Sequence, residues 1–357
     1  MLRRFVYLLA LLANAGTLMA AGSVPALDNL GQSFYSKGIQ VKWEIKTNPF
    51  PQTVRIFEIV PHDFSQNVVS NMMRLGAFTE ADRTGGQARG VAVPAGELNF
   101  RGEDAKSFLS IAPGQGHIKL SVPNVSTDWP TKVPDQSRAM KLGTSLLKLL
   151  EIPTAELVTG EDDRPKAWFY PGVVSGFDKG KKEFVEVPST MGIEFRRQLD
   201  HILCGGDGIH LQFETGEKLT QLEVNWHSVK PSKPCKVATI AQITSWIKEG
   251  RARVASVEVQ GSGGRRLRPA EIKKLTIREA TLNYSDFTYP SPFGFDEQIA
   301  SQLYPYAALT AVAELQRGDW EVIYLFVPVT TEALTQVSRK SDQYGFGIYP
   351  SRRYQRN

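Results

Sequence analysis

Cysteine is scarce in this chain: Cys204 and Cys235 are the only two in 357 residues. Neither stands near the N-terminal apolar run, which argues against a lipid-anchored bacterial lipoprotein. Long apolar runs are lacking too. After residue 22 no stretch approaches the roughly 20 apolar residues that a helix needs to cross a bilayer, so the rest of the chain is expected to be soluble. Common catalytic signatures are missing: there is no G-x-S-x-G elbow, no H-E-x-x-H, no P-loop and no G-x-G-x-x-G. Nor is there a concentrated charge of one sign. The net charge of +5 is dispersed, with no basic stripe of the kind that grips nucleic acid. Part of it sits at Arg3 and Arg4, and part in the tail, where Arg339, Lys340, Arg352, Arg353 and Arg356 face only Asp342. Such a tail reads as a solvated end, with loose attraction to an anionic envelope surface as the sharper reading.

What is present begins at the N-terminus. Met1-Leu2-Arg3-Arg4 is a short cationic start, and Phe5 to Ala13 is an apolar run that breaks at Asn14 and Gly16 before the small residues Ala20, Ala21 and Gly22. This is the pattern of a cleaved secretory signal peptide over residues 1–22, with the mature N-terminus between residues 21 and 27. The expected location is therefore outside the cytoplasm, periplasmic or secreted. Hydrophobic residues make up 41% and charged residues 22%, enough apolar material for ordinary cores in two domains or one large one.

Three segments have helical periodicity and caps. Asp63 precedes Phe64–Leu75, Asp135 precedes a segment ending at Leu150, and Thr239 precedes Ile240–Glu249. Between them the chain alternates as strands, at Val41–Ile45, Thr53–Val60, Phe184–Val187, Ile193–Phe195, Leu275–Tyr284, Tyr306–Leu315 and Trp320–Val327. The clearest hairpin joins Ile209–Phe213 to Leu222–Trp226 through Thr215-Gly216. Leu219 breaks parity with Leu222, which predicts a bulge near Thr220. Short amphipathic helices and antiparallel hairpins in alternating blocks give α+β as the expected fold class.

One internal echo stands out. Thr144-Ser145-Leu146-Leu147-Lys148 and Thr244-Ser245-Trp246-Ile247-Lys248 share a T-S-φ-φ-K core, where φ is apolar, and each is followed by extended segments. The expectation is a tandem pair of helix-plus-sheet units. Both cores also spell S-x-x-K, the nucleophile motif of penicillin-binding enzymes. That mechanism needs partner K-T-G and S-D-N elements, which occur nowhere here, so repeat ancestry explains the match better.

The helix-then-strands order resembles PepSY-like domains, small modules of exported bacterial proteins. The residues carrying the resemblance are Gly205-Gly206-Asp207-Gly208 into Ile209–Phe213, Gly216–Leu219, and a strand ending at Trp226. A later element, Tyr284 and then Leu303-Tyr304-Pro305-Tyr306, echoes the family's Tyr-x-Pro strand. The resemblance spans most of residues 130–330. It implies an N-terminal α+β region at 23–130, PepSY-like units at 131–235 and 236–330, and a basic tail at 331–357. It also implies inhibition, regulation or binding in the envelope, with no catalytic residues and no cofactor to transfer.

Candidate site residues follow from chemistry and position. Cys204 and Cys235 flank the best hairpin, and in an oxidising compartment a disulfide at its base is expected. Phe287, Tyr289, Phe293 and Phe295, set among prolines, form an aromatic connection suited to partner contact, or to folding back over the sheet. His201, His210 and His227 lie near Asp200 and Asp207, which leaves room for a surface metal site. Histidines spread over strands are more often polar-face residues, and no metal is assigned. Gly261-Ser262-Gly263-Gly264 before Arg265-Arg266 reads as a loop. The function expected is non-catalytic binding or regulation with an unknown envelope protein or polymer. The alternative is an envelope-polymer hydrolase with a dispersed site, which would show a deep pocket lined by a carboxylate pair or a Ser/His pair.

Overall fold

A computed structural model of the chain describes residues 38–84, 96–104, 106–123, 132–178, 182–258, 272–285 and 302–335, with 33–34, 87–88, 91–92 and Pro130. The segment expected to be a signal peptide, 1–22, the Phe287–Phe295 connection, the Gly261–Gly264 segment and most of residues 331–357 lie outside the described residues. In chain order the strands are β1 (Ser33–Phe34), β2 (Gln40–Trp43), β3 (Thr53–Val60), β4 (Gln87–Ala88), β5 (Val91–Ala92), β6 (Leu98–Arg101), β7 (Phe108–Ala112) and β8 (His117–Ser121). They continue as β9 (Ala167–Asp178), β10 (Glu183–Leu199), β11 (Ile202–Glu214), β12 (Lys218–Asn225), β13 (Ser228–Lys236), β14 (Ala252–Glu258), β15 (Ile272–Ser285), β16 (Gln302–Leu315) and β17 (Trp320–Pro328). The helices are α1 (Gln66–Leu75), α2 (Gln136–Leu149) and α3 (Ile240–Lys248).

The chain is mostly β, with mixed strand pairing and few short helices, and the expected α+β arrangement of helices on antiparallel sheets is not what it forms. The reason lies in strand length. Phe184–Val187 and Ile193–Phe195 read as separate pieces in the sequence, yet both belong to the 17-residue β10. Along β10 the burial pattern changes from exposed to buried, so no single alternation runs its length and periodicity finds only fragments.

The chain divides into two compact units that do not follow sequence order. The first comprises residues 1–23, 60–201 and 207–228, and the second comprises 24–59, 202–206 and 229–357. The chain passes between them within β11.

In the first unit the strands run in the order β9-β10-β11-β12-β8-β7-β6. The core joins Val68 and Met72 of α1 and Ala139 and Leu147 of α2 to Ile193, Phe195, Ile209, Leu211, Val224 and Trp226. Burial of such side chains contributes about 1.5–3 kcal/mol each, before the entropy of ordering them is subtracted. Asp135 caps α2 as expected, accepting from the Arg138 N–H at 2.7 Å. Asp63 does not cap α1. Ser65 does, accepting from the Val68 N–H at 3.2 Å. The β11–β12 hairpin forms with Ile209 opposite Val224 and Leu211 opposite Leu222. Its register shifts where Gln212 pairs Gln221 and Phe213 pairs Leu219, leaving Thr220 as the bulged residue. Gly216 supplies the positive φ of 73° that the turn requires.

In the second unit the order is β1-β14-β17-β16-β15, with β2 parallel to β15 and the start of β11 parallel to the end of β15. Ile243 and Ile247 of α3 share a core with Ile272, Leu275, Ile277, Leu309, Ile323 and Leu325. Thr239 and Gln242 close a capping box at the start of α3. The strand following α2, β9, pairs with β10, whereas the strand following α3, β14, pairs with β17. The T-S-φ-φ-K echo is therefore followed by different strand orders.

The expected Cys204–Cys235 disulfide is not formed, and both side chains are buried. Cys204 lies opposite Tyr284 in the β11–β15 ladder. Cys235 sits on β13, which pairs with β3, and packs among Ile56, Tyr304, Tyr306 and Phe326. The hairpin between the two cysteines belongs to the first unit, and its flanks are taken up by different partner strands, so the hairpin does not bring them to a common base.

Candidate functional site

The densest polar constellation in the first unit grows from the inward parity of two strands. Ile193, Phe195, Arg197 and Leu199 all occupy buried positions on β10, so Arg197 takes a core position with only 1% exposure. Asp207 is placed likewise, on the same parity as Ile209, Leu211 and Phe213 of β11. The β10–β11 connection is a tight turn at Asp200 and His201, both with positive φ. The following Gly208 has no room for a side chain, since a Cβ there would lie 2.6 Å from the Phe195 carbonyl oxygen.

A buried guanidinium is tolerable only when charge and hydrogen bonds surround it. Arg197 donates from Nε and Nη2 to Glu156 Oε2 at 2.8 and 2.6 Å. From Nη1 it donates to Asp207 Oδ2 at 2.7 Å and to the His227 carbonyl oxygen. Its plane lies against Trp226, with Cζ 4.6 Å from the ring centroid. Glu156 reaches it because Leu157 bridges to Arg197 and the Val158 N–H bonds the Arg196 carbonyl. Burial pushes the Asp207 carboxyl up, but bonds from His227 and Arg197 outweigh it and hold the group below its usual range. Asp207 is thus ionised and accepts only, so His227 Nδ1 donates to Oδ1, at 2.9 Å. Nearby, His62 Nδ1 and Ser228 Oγ are hydrogen-bonded at 2.7 Å. Burial and the positive charge of Arg197 lower the His62 pKa, which keeps its ring neutral.

This is a Ser/His pair beside an Asp/His pair, but the two are not in series: the carboxylate orients His227, while the serine touches His62. The two best-formed depressions lie elsewhere, one of about 450 Å³ beside Arg138 and Glu217, the other of about 270 Å³ beside Lys233 and Tyr304. The network is a hydrogen-bonded polar knot around Arg197.

A second constellation occupies the other face of the β9–β10 hairpin. Arg196 donates to Glu194 at 3.0 Å and covers the Trp168 ring at 4.3 Å, with Lys166 5.3 Å from the same ring. Tyr170 bonds Glu194, and burial together with that carboxylate pushes its hydroxyl up to about 12. Beyond Tyr170 the hairpin loses its cover. From Pro171 to Phe177 and from Lys182 to Thr190 no described side chain is buried. Phe177 and Phe184 pair directly across the strands, edge to face at 5.5 Å, and are 50% and 80% exposed.

The residues singled out in the sequence are distributed differently. His227 and Asp207 do come together, around an arginine and not around a metal. His210 is lowered by burial and packs near Tyr170, and His201 stays at the exposed turn. No cluster of three His, Cys, Asp or Glu residues suited to a metal occurs among the described residues. Sequence reading missed Arg197, Glu156 and the exposed half of the β9–β10 hairpin. The signal for Arg197 was present, a cation on the inward parity of Ile193 and Phe195. Comparisons with family models, curated proteins and solved structures found no match, so the reading of function rests on this geometry.

Proposed function

We propose that the protein is a non-catalytic binding or regulatory protein acting outside the cytoplasm, with the exposed half of the β9–β10 hairpin as its contact element. The observation that carries this reading is the placement of apolar surface. Of the large hydrophobic side chains left exposed among the described residues, Phe184, Phe177 and Val173 lie together on this one arm and are the most exposed. Exposed apolar side chains gathered in one place mark a contact surface, whereas scattered ones do not. The Ser228–His62 pair lines neither the depression beside Arg138 and Glu217 nor the one beside Lys233 and Tyr304.

The test is capture from the native envelope fraction with a photo-crosslinking amino acid at Phe184, compared with one at exposed Trp320. Specific capture at Phe184 supports the reading, and equal, weak capture at both sinks it. The hydrolase alternative has one observation in its favour, the 2.7 Å Ser228–His62 contact. Covalent labelling of Ser228 by a fluorophosphonate probe would establish it, and the expected result is no labelling.

A further inference from the structure

We infer that His62 is an acid-released latch that fastens the chain where it enters the first unit to where it leaves it. Among the described residues the chain enters that unit at Val60, steps out after His201, returns at Asp207 and leaves after Ser228. His62 stands two residues after the entry and Ser228 at the exit, and their side chains meet at 2.7 Å. Two backbone bonds converge on the same place. The His62 carbonyl accepts from the Gly114 N–H at 2.8 Å, and the Trp226 N–H donates to the Gly116 carbonyl at 2.8 Å. A Cβ on Gly116 would lie 2.0 Å from the Trp226 carbonyl oxygen, so this approach requires glycine. The β7–β8 turn thus bridges residues 62 and 226, and the His62–Ser228 contact closes the circuit. Beside the other two crossings, Arg197 holds Asp207 and the His227 carbonyl.

The charged groups facing His62 decide what a proton does there. Arg197 on β10 and His227 after β12 oppose a positive charge, while Asp63 next to it and Glu156 before β9 favour one. Glu156 already accepts two bonds from Arg197, and Asp63 is exposed, where solvent and salt screen it. Burial is the largest influence and also opposes the charge, so the ring in place resists protonation. A protonated ring is better accommodated in water than against Ser228 and near Arg197. Release breaks no strand ladder, because His62 lies on the connection between β3 and α1. An opened segment with the ordinary value of 6.5 gains population as pH falls below 6.5, by at most about thirtyfold at pH 5. Asp207 is held below 3.8, so at pH 5 it stays ionised and keeps its bonds to Arg197 and His227. Mild acid therefore opens the latch and spares the Arg197 knot.

The experiment is hydrogen–deuterium exchange of the full mature chain at pH 7.5 and pH 5, resolved by segment and corrected for the intrinsic pH dependence of exchange. Protection of residues 112–116, which contain the Gly114 amide, should fall at least about threefold at pH 5. Residues 209–224 of the β11–β12 hairpin should keep theirs. His62→Gln should show equal protection of 112–116 at both pH values, while His210→Gln should keep the native response. Ser228→Ala should exchange faster at 112–116 already at pH 7.5. Unchanged protection of 112–116 in the native chain overturns the inference, as does a fall shared equally by 209–224. A response that survives in His62→Gln, or native protection in Ser228→Ala, overturns it too. If His62→Gln does not fold, the difference between the two segments in the native chain still decides.

Discussion

The two halves of β10 share one strand and one ladder to β9, yet they have opposite surroundings. From Met191 to Leu199 the strand buries Ile193, Phe195 and Arg197 against the core, and from Glu183 to Thr190 it buries nothing. Backbone pairing is continuous across both, apart from a register shift between Pro188 and Thr190. Hydrogen bonding therefore does not distinguish them. The difference is a second layer: Leu147 of α2 joins Ile193 and Phe195 in one core, and the strand runs past where that cover ends. A ladder can extend a hairpin beyond the core, but the apolar side chains it carries out there contribute little to folding.

The contrast is sharpest where the same change is made on both sides of the boundary. Phe195→Ala should cost about 3–5 kcal/mol in denaturant unfolding, since the ring is fully buried. Arg197→Ala should cost a comparable 3–5 kcal/mol, because it leaves Asp207 and Glu156 without their cation. A loss below about 1 kcal/mol for Arg197→Ala would mean that the knot opens to water and is not a sealed core element.

Acid should destabilise the fold in two stages. His62 and His210 have folded values below 6.5, so the folded chain binds fewer protons than the unfolded one, and stability falls as pH drops below 6.5. Asp207 has a depressed value, so its contribution is complete above 3.8 and is lost as pH falls through its lower folded value. His62→Gln should reduce the first stage, leaving the share of His210, and keep the second in place, which denaturant midpoints measured across pH will show.

Smaller effects test the remaining contrasts. Burial and a hydrogen bond with Glu332 push the Cys235 thiol up to about 11. Iodoacetamide near neutral pH should leave Cys235 unmodified in the folded chain, while two thiols should react once it unfolds. Detection of no thiol in unfolded, unreduced protein would restore the disulfide. The smallest expected effect is at the tip, where Phe184→Ala should change stability by no more than about 0.5 kcal/mol.

Local features were legible because local chemistry decides them. Asp135 and Thr239 cap helices where a short polar side chain precedes an amphipathic run, and the Thr220 bulge follows from the parity of Leu219 and Leu222. Ser65 displaced Asp63 as a cap because both lie within three residues of the helix start and only the final turn geometry chooses between them. The site was half legible. Asp207 and His227 flank the hairpin in sequence, whereas Glu156 and Arg197 lie 41 residues apart and meet only because Leu157 bridges to β10.

The sequence by itself determined where α2 and α3 begin, which faces of the β11–β12 hairpin turn inward, and its turn and bulge. These depend on side-chain periodicity and backbone preference over a few residues. The tertiary structure alone decided the mostly β architecture, the different partners of Cys204 and Cys235, the enclosure of Arg197 and the exposure of Phe184. Each of these depends on which distant strand or helix supplies a covering layer, and neighbouring residues carry no record of that choice.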